Sequence, residues 1–445
     1  MMNFYKAFIR SKLDYGSIVY SSARDSVLRI INPIHNEGIR LATGALRTSP
    51  VDSLYAESGE PPLDVRRNIL MCNYAARMLP LTEHVAYNSA YLPQFSNQYC
   101  THTGTKPLVV RLAKLHLEHR INVPQTMSET PNKIEPWVLN SPVVDYSLHR
   151  FKRGNTPDYI YRTLFLERTN KYKNYKQVFT DGSKTGSGVG SAFVIDGVAH
   201  GYSLNDVASI FTAELFAIKK AMEYLLNSKE KKIIICSDSR SSLEAICKLD
   251  TDNKLIQSIH TLLYSSVRSH KSVIFLWIPG HTGINNNEAA DRAAKDATLL
   301  NDKYEIIVPS DWKSFLRPKI MSQWIRDWEL VPLTNKLRNI KSTPMKWVTS
   351  CRNTRREEVV LARLRIGHTL FTHGYIFKRE EPPICSECNN VPLTVRHILV
   401  ECPKYSRARQ KCNISSQMEE VLKDDENSVQ NTLRFLQDIN VFNSM

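Results

Sequence analysis

The chain has 445 residues, and its 59 lysine and arginine residues outnumber its 44 aspartate and glutamate residues, which gives a formal net charge of +15. A hydrophobic fraction of 42% and a charged fraction of 23% are ordinary for globular proteins and exclude wholesale disorder and a collagen-like chain. No stretch approaches the roughly 18 apolar residues of a transmembrane helix. The positive surplus indicates a polyanionic partner, and at this point nucleic acid and a membrane surface both remain open.

Two features of the sequence bear on the compartment. Lys6 and Arg10 interrupt the amino-terminal segment before an apolar run develops, so a secretory signal is not expected. The nine cysteines form an odd and sparse set, which argues against a disulfide framework. Both features favour an intracellular, reducing compartment, without distinguishing the cytoplasm from the nucleus.

The first two segments of the chain differ in their periodicity. Residues 1–95 show helical apolar spacing, interrupted at Pro33, at Pro50 and at the Pro61-Pro62 pair, and are predicted to be helical. Residues 96–174 lose this spacing and are predicted to be a linker or connection, because prolines are scattered through polar sequence. The prolines around and within this segment are Pro93, Pro107, Pro124, Pro131, Pro136, Pro142 and Pro157.

Residues 175–301 carry the clearest alternation of strands and helices. Three β-type runs come first, and a tight turn at Asp196-Gly197 is predicted to join the second to the third. The predicted elements are strands 178–180, 188–195, 198–202, 233–236 and 273–278, and helices 212–227, 241–249, 255–267 and 287–300. The apolar run 233–236 is typical of a strand buried on both faces. This order predicts an α/β domain with a mixed five-stranded sheet flanked by helices.

The last third of the chain divides into three segments. Residues 302–365 are predicted to form a basic helical linker. A cluster of cysteine and histidine falls within residues 366–412. Residues 413–445 are predicted to be a short tail, with an acidic patch between Glu419 and Glu426.

Four acids lie at the ends of predicted elements in the α/β segment: Asp181, Glu214, Asp238 and Asp291. Glu214 heads an apolar helix stripe, where an uncompensated carboxylate is costly. For one such acid a helix cap or a buried salt bridge is the ordinary explanation. Four in one segment, without matching core lysines or arginines, indicate a site for a hard divalent cation, Mg²⁺ or Mn²⁺.

Five short blocks carry these acids in a fixed order. They are Phe179-Thr180-Asp181-Gly182-Ser183, Thr212-Ala213-Glu214-Leu215, Ser237-Asp238-Ser239, Gly280-His281 and Asn287-Glu288-Ala289-Ala290-Asp291. The order and the strand-helix context resemble the signature blocks of type 1 ribonuclease H over about residues 175–301. The resemblance implies the ribonuclease H-like fold. It also implies a catalytic, metal-binding quartet of Asp181, Glu214, Asp238 and Asp291, with His281 as the auxiliary catalytic histidine.

The resemblance further implies hydrolysis of the RNA strand of RNA–DNA hybrids with two divalent ions. Two ions about 4 Å apart can clamp the attacking and the leaving oxygen of the displacement. In this scheme Asp181 bridges the ions, Asp291 holds the ion that activates water, and Glu214 and Asp238 hold the other. His281 assists proton transfer or product release, the alternative being an ordinary loop histidine.

The sequence departs from the family pattern in two places. Ile210 and Phe211 stand where the family often has asparagines that contact the minor groove of the hybrid. The stretch between Asp238 and His281 holds two helices and resembles the short form of the family, without an extra basic helix. Both departures predict that substrate affinity depends on neighbouring segments.

A second constellation has the spacing Cys385-x2-Cys388-x8-His397-x4-Cys402. Three thiolates and one imidazole form a closed tetrahedral donor set suited to Zn²⁺, the alternative being free or redox cysteines. Cys412, His368 and His373 are spare candidates. The segment is similar to the knuckle that follows the ribonuclease H domain in some non-LTR retrotransposon polyproteins. A run of nearby arginines is predicted either to contact phosphates or to form a solvated helix face: Arg352, Arg355, Arg356, Arg363 and Arg365.

The amino-terminal segment adds a weaker resemblance. Phe4-Tyr5-Lys6-Ala7-Phe8 and the stretch from Arg10 to Gly16 resemble the helical thumb of non-LTR reverse transcriptases. No aromatic-x-Asp-Asp turn lies between apolar strands, because the Asp424-Asp425 pair falls in the polar tail, so no polymerase activity is expected. We therefore expect a fragment of a retrotransposon polyprotein.

The expected function is endonucleolytic cleavage of the RNA strand of RNA–DNA hybrids. Its partner would be nucleic acid and not a membrane. One alternative is a catalytically inactive nucleic-acid-binding remnant of a retrotransposon. Another is a nuclease or transposase of the same broad fold, which typically relies on three acids.

Overall fold

The computed structural model describes residues 1–91, 99, 105–123, 134–151, 156–305, 307–388 and 391–445. Pro93, Pro124, Pro131 and part of the predicted linker lie outside these residues. The chain forms two compact units. The sheet unit comprises Ala75–Asn88 and Ile121–Phe315, and the helical unit comprises Met1–Tyr74, Ser89–Arg120 and Leu316–Met445.

A seven-stranded mixed sheet organises the sheet unit. Its strands are β1 Val143–Asp145, β2 Lys176–Lys184, β3 Val189–Ile195, β4 Val198–Leu204, β5 Lys232–Ser237, β6 Ser272–Trp277 and β7 Lys303–Tyr304. Their order across the sheet is β1-β6-β5-β2-β3-β4-β7. The mixed α/β fold is confirmed, but the predicted count of five strands is wrong. The additional strands β1 and β7 are three and two residues long, too short to leave a periodic pattern.

Five helices accompany the sheet: α1 Asp158–Lys171, α2 Ile210–Leu226, α3 Arg240–Ile246, α4 Lys254–Arg268 and α5 Asn285–Ala297. β2, β3 and β4 form the antiparallel meander, while β5 and β6 pair in parallel beyond β2. The predicted turn between β3 and β4 is confirmed, because Asp196 and Gly197 both have positive φ, at 53° and 77°.

The sheet has an apolar core on each face. Ile233 and Ile235 of β5 contribute to one cluster, which includes the buried side of α2 and α4. Ile234 and Cys236 contribute to the other. The continuously apolar strand is therefore buried on both faces, as its sequence predicts. The alanine-rich helix α5 lies very close to the sheet, since a Cβ atom at Gly190 of β3 would overlap with the helix backbone.

Among its described residues, the helical unit contains no β-strand, only the isolated β-bridge between Ile384 and Pro392. Its α-helices are Met2–Phe4, Ser11–Asp14, Ser17–Tyr20, Asp25–Leu28, Asn32–Thr43, Val51–Ser58, Leu63–Met78, Val85–Tyr91, Leu108–Glu118, Pro309–Glu329, Lys336–Ile340, Arg355–Ile366, Leu370–Lys378, Ser406–Lys411, Met418–Val421 and Glu426–Asp438, of which three run partly or wholly in the sheet unit. None of the helices within the described ranges combines the length and apolar character that a membrane span requires.

Two segments are more ordered than their sequence predicts. The predicted tail contains helix Glu426–Asp438, which buries Val429, Leu433 and Leu436 at helical spacing in an apolar cluster. The described part of the predicted linker contains helix Leu108–Glu118, strand β1 and helix α1. The prolines in this segment suggested a linker, because proline disfavours the interior of a helix. In the structure Pro107 and Pro157 lie immediately before the two helices, where proline is tolerated.

Candidate active site and metal centre

Strand register brings two of the predicted catalytic acids together. β2 and β5 run in parallel, and Thr180 lies opposite Ser237. The next residues along the two strand directions are Asp181 and Asp238, so their carboxyl groups start from adjacent positions. Asp181 lies inside β2 rather than at its end, because β2 stays paired with β3 as far as Lys184. This corrects the predicted end of the first strand.

Glu214 reaches the same place from helix α2. The Ser209 side chain caps this helix by accepting a hydrogen bond from a first-turn amide, which sets Glu214 in the second turn. Gly182 on β2 permits the close approach, since a Cβ atom there would lie 2.6 Å from the Glu214 amide nitrogen. Asp181, Glu214 and Asp238 each offer a carboxylate oxygen within 4.8 Å of the other two. We call these three residues the acid trio.

The acid trio is electrostatically strained. Burial, together with the charges of Asp238 and Asp291, raises the pKa of Asp181 to about 8. Burial and the Asp181 charge raise the pKa of Glu214 well above its ordinary value. Burial also raises the pKa of Asp238. The buried Glu214 Oε2 atom has no hydrogen-bond partner among the described residues. Hard oxygen donors with this surplus of negative charge fit a divalent cation such as Mg²⁺ or Mn²⁺.

Asp291 belongs to a neighbouring group rather than to the trio. Its carboxylate, His281 and Glu288 offer ligand atoms within 4.8 Å of one another. Asp291 also forms an ion pair with Lys295, one turn further along α5, at 2.7 Å. The predicted quartet is thus divided between two groups. Sequence reasoning did not single out Glu288, although its spacing of three residues from Asp291 on one helix was an available signal.

The loop between β6 and α5 presents His281 to solvent. His281 has a φ of 53°, the left-handed conformation that is unfavourable for a residue with a side chain. Gly280 precedes it and lies so close to Asp238 that a Cβ atom at position 280 would overlap with the Asp238 Oδ2 atom. The loop therefore holds the imidazole beside the acids through a close backbone approach.

Two further residues support Asp238. The Asn287 side chain hydrogen-bonds to the Asp238 carboxyl group, which lowers the Asp238 pKa against the effect of burial. The Trp277 Nε1 atom donates a hydrogen bond to the Asp238 carbonyl oxygen at 3.1 Å. Asn287 is only 2% exposed. Neither residue was singled out from the sequence, because a supporting contact leaves no pattern of its own.

The acid trio, its supporting residues and His281 all lie in one stretch that is similar to known proteins. Residues 173–299 match the family model described as RNase H. The chain contains an RNase H domain. Pol polyproteins of equine infectious anemia virus are similar to part of this chain: isolates 1369 and CL22 are each 32% identical over 120 residues, and strain Wyoming is 31% identical over 120 residues. These matches cover 26% of this chain, which spans about 10% of the length of the curated relatives.

The predicted zinc ligands come together in the helical unit, outside the RNase H domain. They are Cys385, Cys388, His397 and Cys402, and each offers a ligand atom within 4.8 Å of the others. The first two cysteines lie on a small hairpin closed by a bridge between Ile384 and Pro392. The histidine and the last cysteine are the first residue and the C-cap of the helical turn His397–Glu401. One hairpin and one helical turn thus supply two ligands each.

The chemistry of this donor set fits a metal ion. A hydrogen bond with His397 lowers the pKa of Cys385 to about 6, whereas burial raises the pKa of Cys388 to about 11. The His397 Nε2 atom is buried and has no hydrogen-bond partner in the described part of the chain. The Cys402 sulfur lies 3.8 Å from the sulfur atoms of both Cys385 and Cys388. Three sulfur atoms and one imidazole at this spacing suit tetrahedral coordination.

The spare candidates do not join this cluster. Cys412 is buried in the carboxyl-terminal apolar cluster, and His368 and His373 stack on each other with ring centroids 3.9 Å apart.

The arginine run makes internal contacts in place of a solvated helix face. Arg365 is 1% exposed and donates to Thr349 Oγ1, and Arg352 pairs with Glu426 at 2.6 Å. The other three arginines donate to backbone carbonyl oxygens of the helical unit: Arg355, Arg356 and Arg363. Neither of the two predicted roles, contact with phosphates or a solvated helix face, included these tertiary contacts.

Proposed function

We propose that the chain is an endoribonuclease that hydrolyses the RNA strand of RNA–DNA hybrids in a Mg²⁺- or Mn²⁺-dependent reaction. The observation that carries the proposal is the acid trio inside an RNase H domain. Asp181 and Glu214 are buried, Asp238 is half-buried, and all three carboxyl groups have raised pKa values. Ionised carboxylates in such a place are costly to the fold by themselves, whereas they supply the donors that divalent ions require.

The residues of the chain have distinct tasks in this proposal. Asp181, Glu214 and Asp238 hold divalent cations, which when bound would polarise the scissile phosphodiester and stabilise charge on its oxygens. Asn287 and the Trp277 indole orient Asp238. Asp291, which forms an ion pair with Lys295 in this structure, would add a further carboxylate to the donor set.

His281 has the exposure that proton exchange requires. Its imidazole lies on the loop after β6, in a group with Asp291 and Glu288. From this position the ring nitrogens exchange protons between solvent and the reacting oxygens at the edge of the acid cluster.

We also propose that the Cys385, Cys388, His397 and Cys402 cluster binds one Zn²⁺ ion. A closed set of four protein donors leaves no open position for substrate, so the ion has a structural role. The helical turn His397–Glu401 contributes Ile398 and Leu399 to the carboxyl-terminal apolar cluster. Zinc would therefore fix the hairpin to a core that the helices already form.

The origin proposed for the chain is a retroelement polyprotein of the non-LTR type. The RNase H match, together with the similarity of part of the chain to Pol polyproteins, supports a retroelement source. The non-LTR assignment rests on the thumb-like sequence within residues 1–95 and on the Cys/His cluster within residues 366–412. The divisions at 96–174, 175–301, 302–365 and 413–445 complete this proposed domain plan.

The activity is tested with the full chain and end-labelled substrates. RNA–DNA hybrid, duplex DNA and duplex RNA are incubated with Mg²⁺, Mn²⁺ or EDTA. We expect metal-dependent cleavage of the RNA strand of the hybrid, leaving 5′-phosphate ends, and its loss in Asp181→Asn. The matched control is Asp296→Asn, an exposed acid on α5 that should leave the rate unchanged. Absence of hybrid cleavage by the wild-type chain, or cleavage that survives Asp181→Asn, would overturn the proposal.

The zinc site is tested separately by metal quantification on purified protein. We expect one zinc per wild-type chain and a loss of that zinc in Cys385→Ser. Cys351→Ser is the control, because Cys351 is an exposed cysteine of the same unit and lies outside the cluster. Equal zinc content in Cys385→Ser and Cys351→Ser would show that the cluster does not bind zinc.

A further inference from the structure

The cleft that holds two of the three trio acids has a wall built from outside the RNase H match. Glu214 and Asp238 line an open cleft of about 600 Å³. His149, Phe151 and Tyr161 line the same cleft, and all three precede residue 173, where the family match begins. The segment that was predicted to be a linker therefore contributes to the candidate active site.

This wall is a built part of the sheet unit. Strand β1 pairs in parallel with the outer edge of β6, with Val144 opposite Phe275. Asp145 then accepts a hydrogen bond from the Ser147 amide at 2.9 Å and an ion pair from Arg168 on α1 at 3.2 Å. These contacts fix the turn that leads to the cleft.

Two buried residues anchor the side chains that the wall presents. Leu148 is 2% exposed and belongs to the apolar core on one face of the sheet. Tyr161 is 1% exposed, and its hydroxyl donates to the Phe151 carbonyl oxygen at 2.8 Å while its ring contacts the Phe151 ring edge-on. His149 and Phe151 remain exposed between these anchors, Phe151 at 39%. The Phe151 ring is thus held in place by Tyr161 but is not buried in the core, and an exposed aromatic ring in a fixed position is available to contact a ligand.

The cleft combines aromatic rings with a cationic side chain. The His149 ring lies against the Trp277 ring with centroids 5.2 Å apart. Arg240, at the start of α3, hydrogen-bonds to His149 Nε2 and forms a 2.6 Å hydrogen bond with Glu244, so its guanidinium is held beside His149 among the residues that line the cleft. Aromatic faces beside a fixed guanidinium are what a nucleic acid strand requires, because bases stack on rings and phosphates pair with cations.

We propose that His149 and Phe151, with Arg240 and Trp277, bind the RNA strand of the hybrid next to the scissile phosphate. The inference rests on the proposed function, because it takes the acid trio as the place of cleavage. The strand that reaches Glu214 and Asp238 must pass this wall, since the same cleft contains both.

The test compares the full chain with the double variant His149→Ala/Phe151→Ala. We expect KM for hybrid cleavage and Kd for the hybrid in EDTA both to rise about tenfold or more, with kcat within about twofold of wild type. The control is Tyr159→Ala on α1, an aromatic residue 62% exposed that does not line the cleft. Its KM and Kd should equal those of the wild type. Arg240→Ala should in addition lower the slope of log Kd against log salt by about one.

Each outcome decides a different point. Absence of cleavage by the wild-type chain would overturn the proposed function, and the wall is then judged by Kd in EDTA alone. An unchanged Kd and KM in the double variant would refute the wall. His149→Ala alone, with its thermal unfolding measured, separates a loss of contact from a loss of fold. A photo-crosslinking amino acid in place of Phe151 should attach to the RNA strand, and attachment to the DNA strand only would refute the strand assignment.

Discussion

Replacement of one acid of the trio should stabilise the fold while it abolishes activity. Asp181 is 6% exposed and faces the charges of Asp238 and Asp291. These surroundings raise its pKa from 3.8 to about 8, so the folded state binds a proton that the unfolded state releases. Asp181→Asn removes this penalty and keeps the shape of the side chain. We therefore expect the variant to be more stable than the wild type when metal is absent.

The magnitude follows from the shift in pKa. Between pH 3.8 and pH 7 the raised pKa of Asp181 costs the folded state about 4 kcal/mol, at about 1.4 kcal/mol for each pH unit. The asparagine leaves a buried amide that needs partners, which returns part of this gain. We expect a net increase in the free energy of unfolding of about 1–3 kcal/mol at pH 7, or a rise in Tm of roughly 2–4 °C per kcal/mol.

The pH dependence has a definite sign. An acid whose pKa is higher in the folded than in the unfolded state does not destabilise the fold at a pH below its unfolded-state pKa. The free energy of unfolding then falls as the pH rises from the unfolded-state pKa to the folded-state pKa. The wild-type chain in EDTA should therefore become less stable between about pH 4 and pH 8. Asp181→Asn should show a flatter profile over the same window.

The assay is thermal unfolding of the full chain in EDTA and in saturating Mg²⁺. Metal binding to the folded state should stabilise the wild type by about 1.4 kcal/mol for each tenfold excess over Kd, and the variant much less. The order of stability then reverses between EDTA and Mg²⁺. Asp296→Asn, on the exposed side of α5, controls for a change of net charge. A Tm of Asp181→Asn in EDTA at pH 7 that equals or falls below that of Asp296→Asn would refute the reasoning.

Three further predictions concern single residues. Gly280→Ala places a Cβ atom against Asp238 Oδ2 and should lower kcat by on the order of 10²-fold with little change in Tm, measured by hybrid cleavage and thermal unfolding. His281→Ala should lower kcat for hybrid cleavage by on the order of 10²-fold. Because residue 281 has a positive φ, the free energy of unfolding of His281→Gly should exceed that of His281→Ala by about 1 kcal/mol, and equal stability of the two variants would contradict this. Phe435→Ala should cost about 3–5 kcal/mol in denaturant unfolding, and a cost near zero would show that the carboxyl-terminal segment is a tail.

The sequence predicted the meander of β2–β4 and the alternating elements that follow within a few residues of their bounds. Strong apolar runs and glycine-rich turns leave a clear local pattern, as the turn at Asp196-Gly197 shows. The two short edge strands and helix Glu426–Asp438 were not predicted from the sequence. The strands are stabilised by pairing with β6 and β4, and the helix is stabilised by burial against apolar residues that are distant in the sequence. Local pattern carries no information about such partners.

The candidate site divides in the same way. The sequence alone was enough to predict the acids, His281 and the Cys/His cluster as candidate site residues, because these residue types at these spacings are typical of metal-binding sites. Only the tertiary structure decided that Asp181, Glu214 and Asp238 form one group while Asp291 joins His281 and Glu288. It also decided that the segment around His149 and Phe151 enters the cleft. Both depend on strand register and helix packing, which bring together residues separated along the chain by tens of positions.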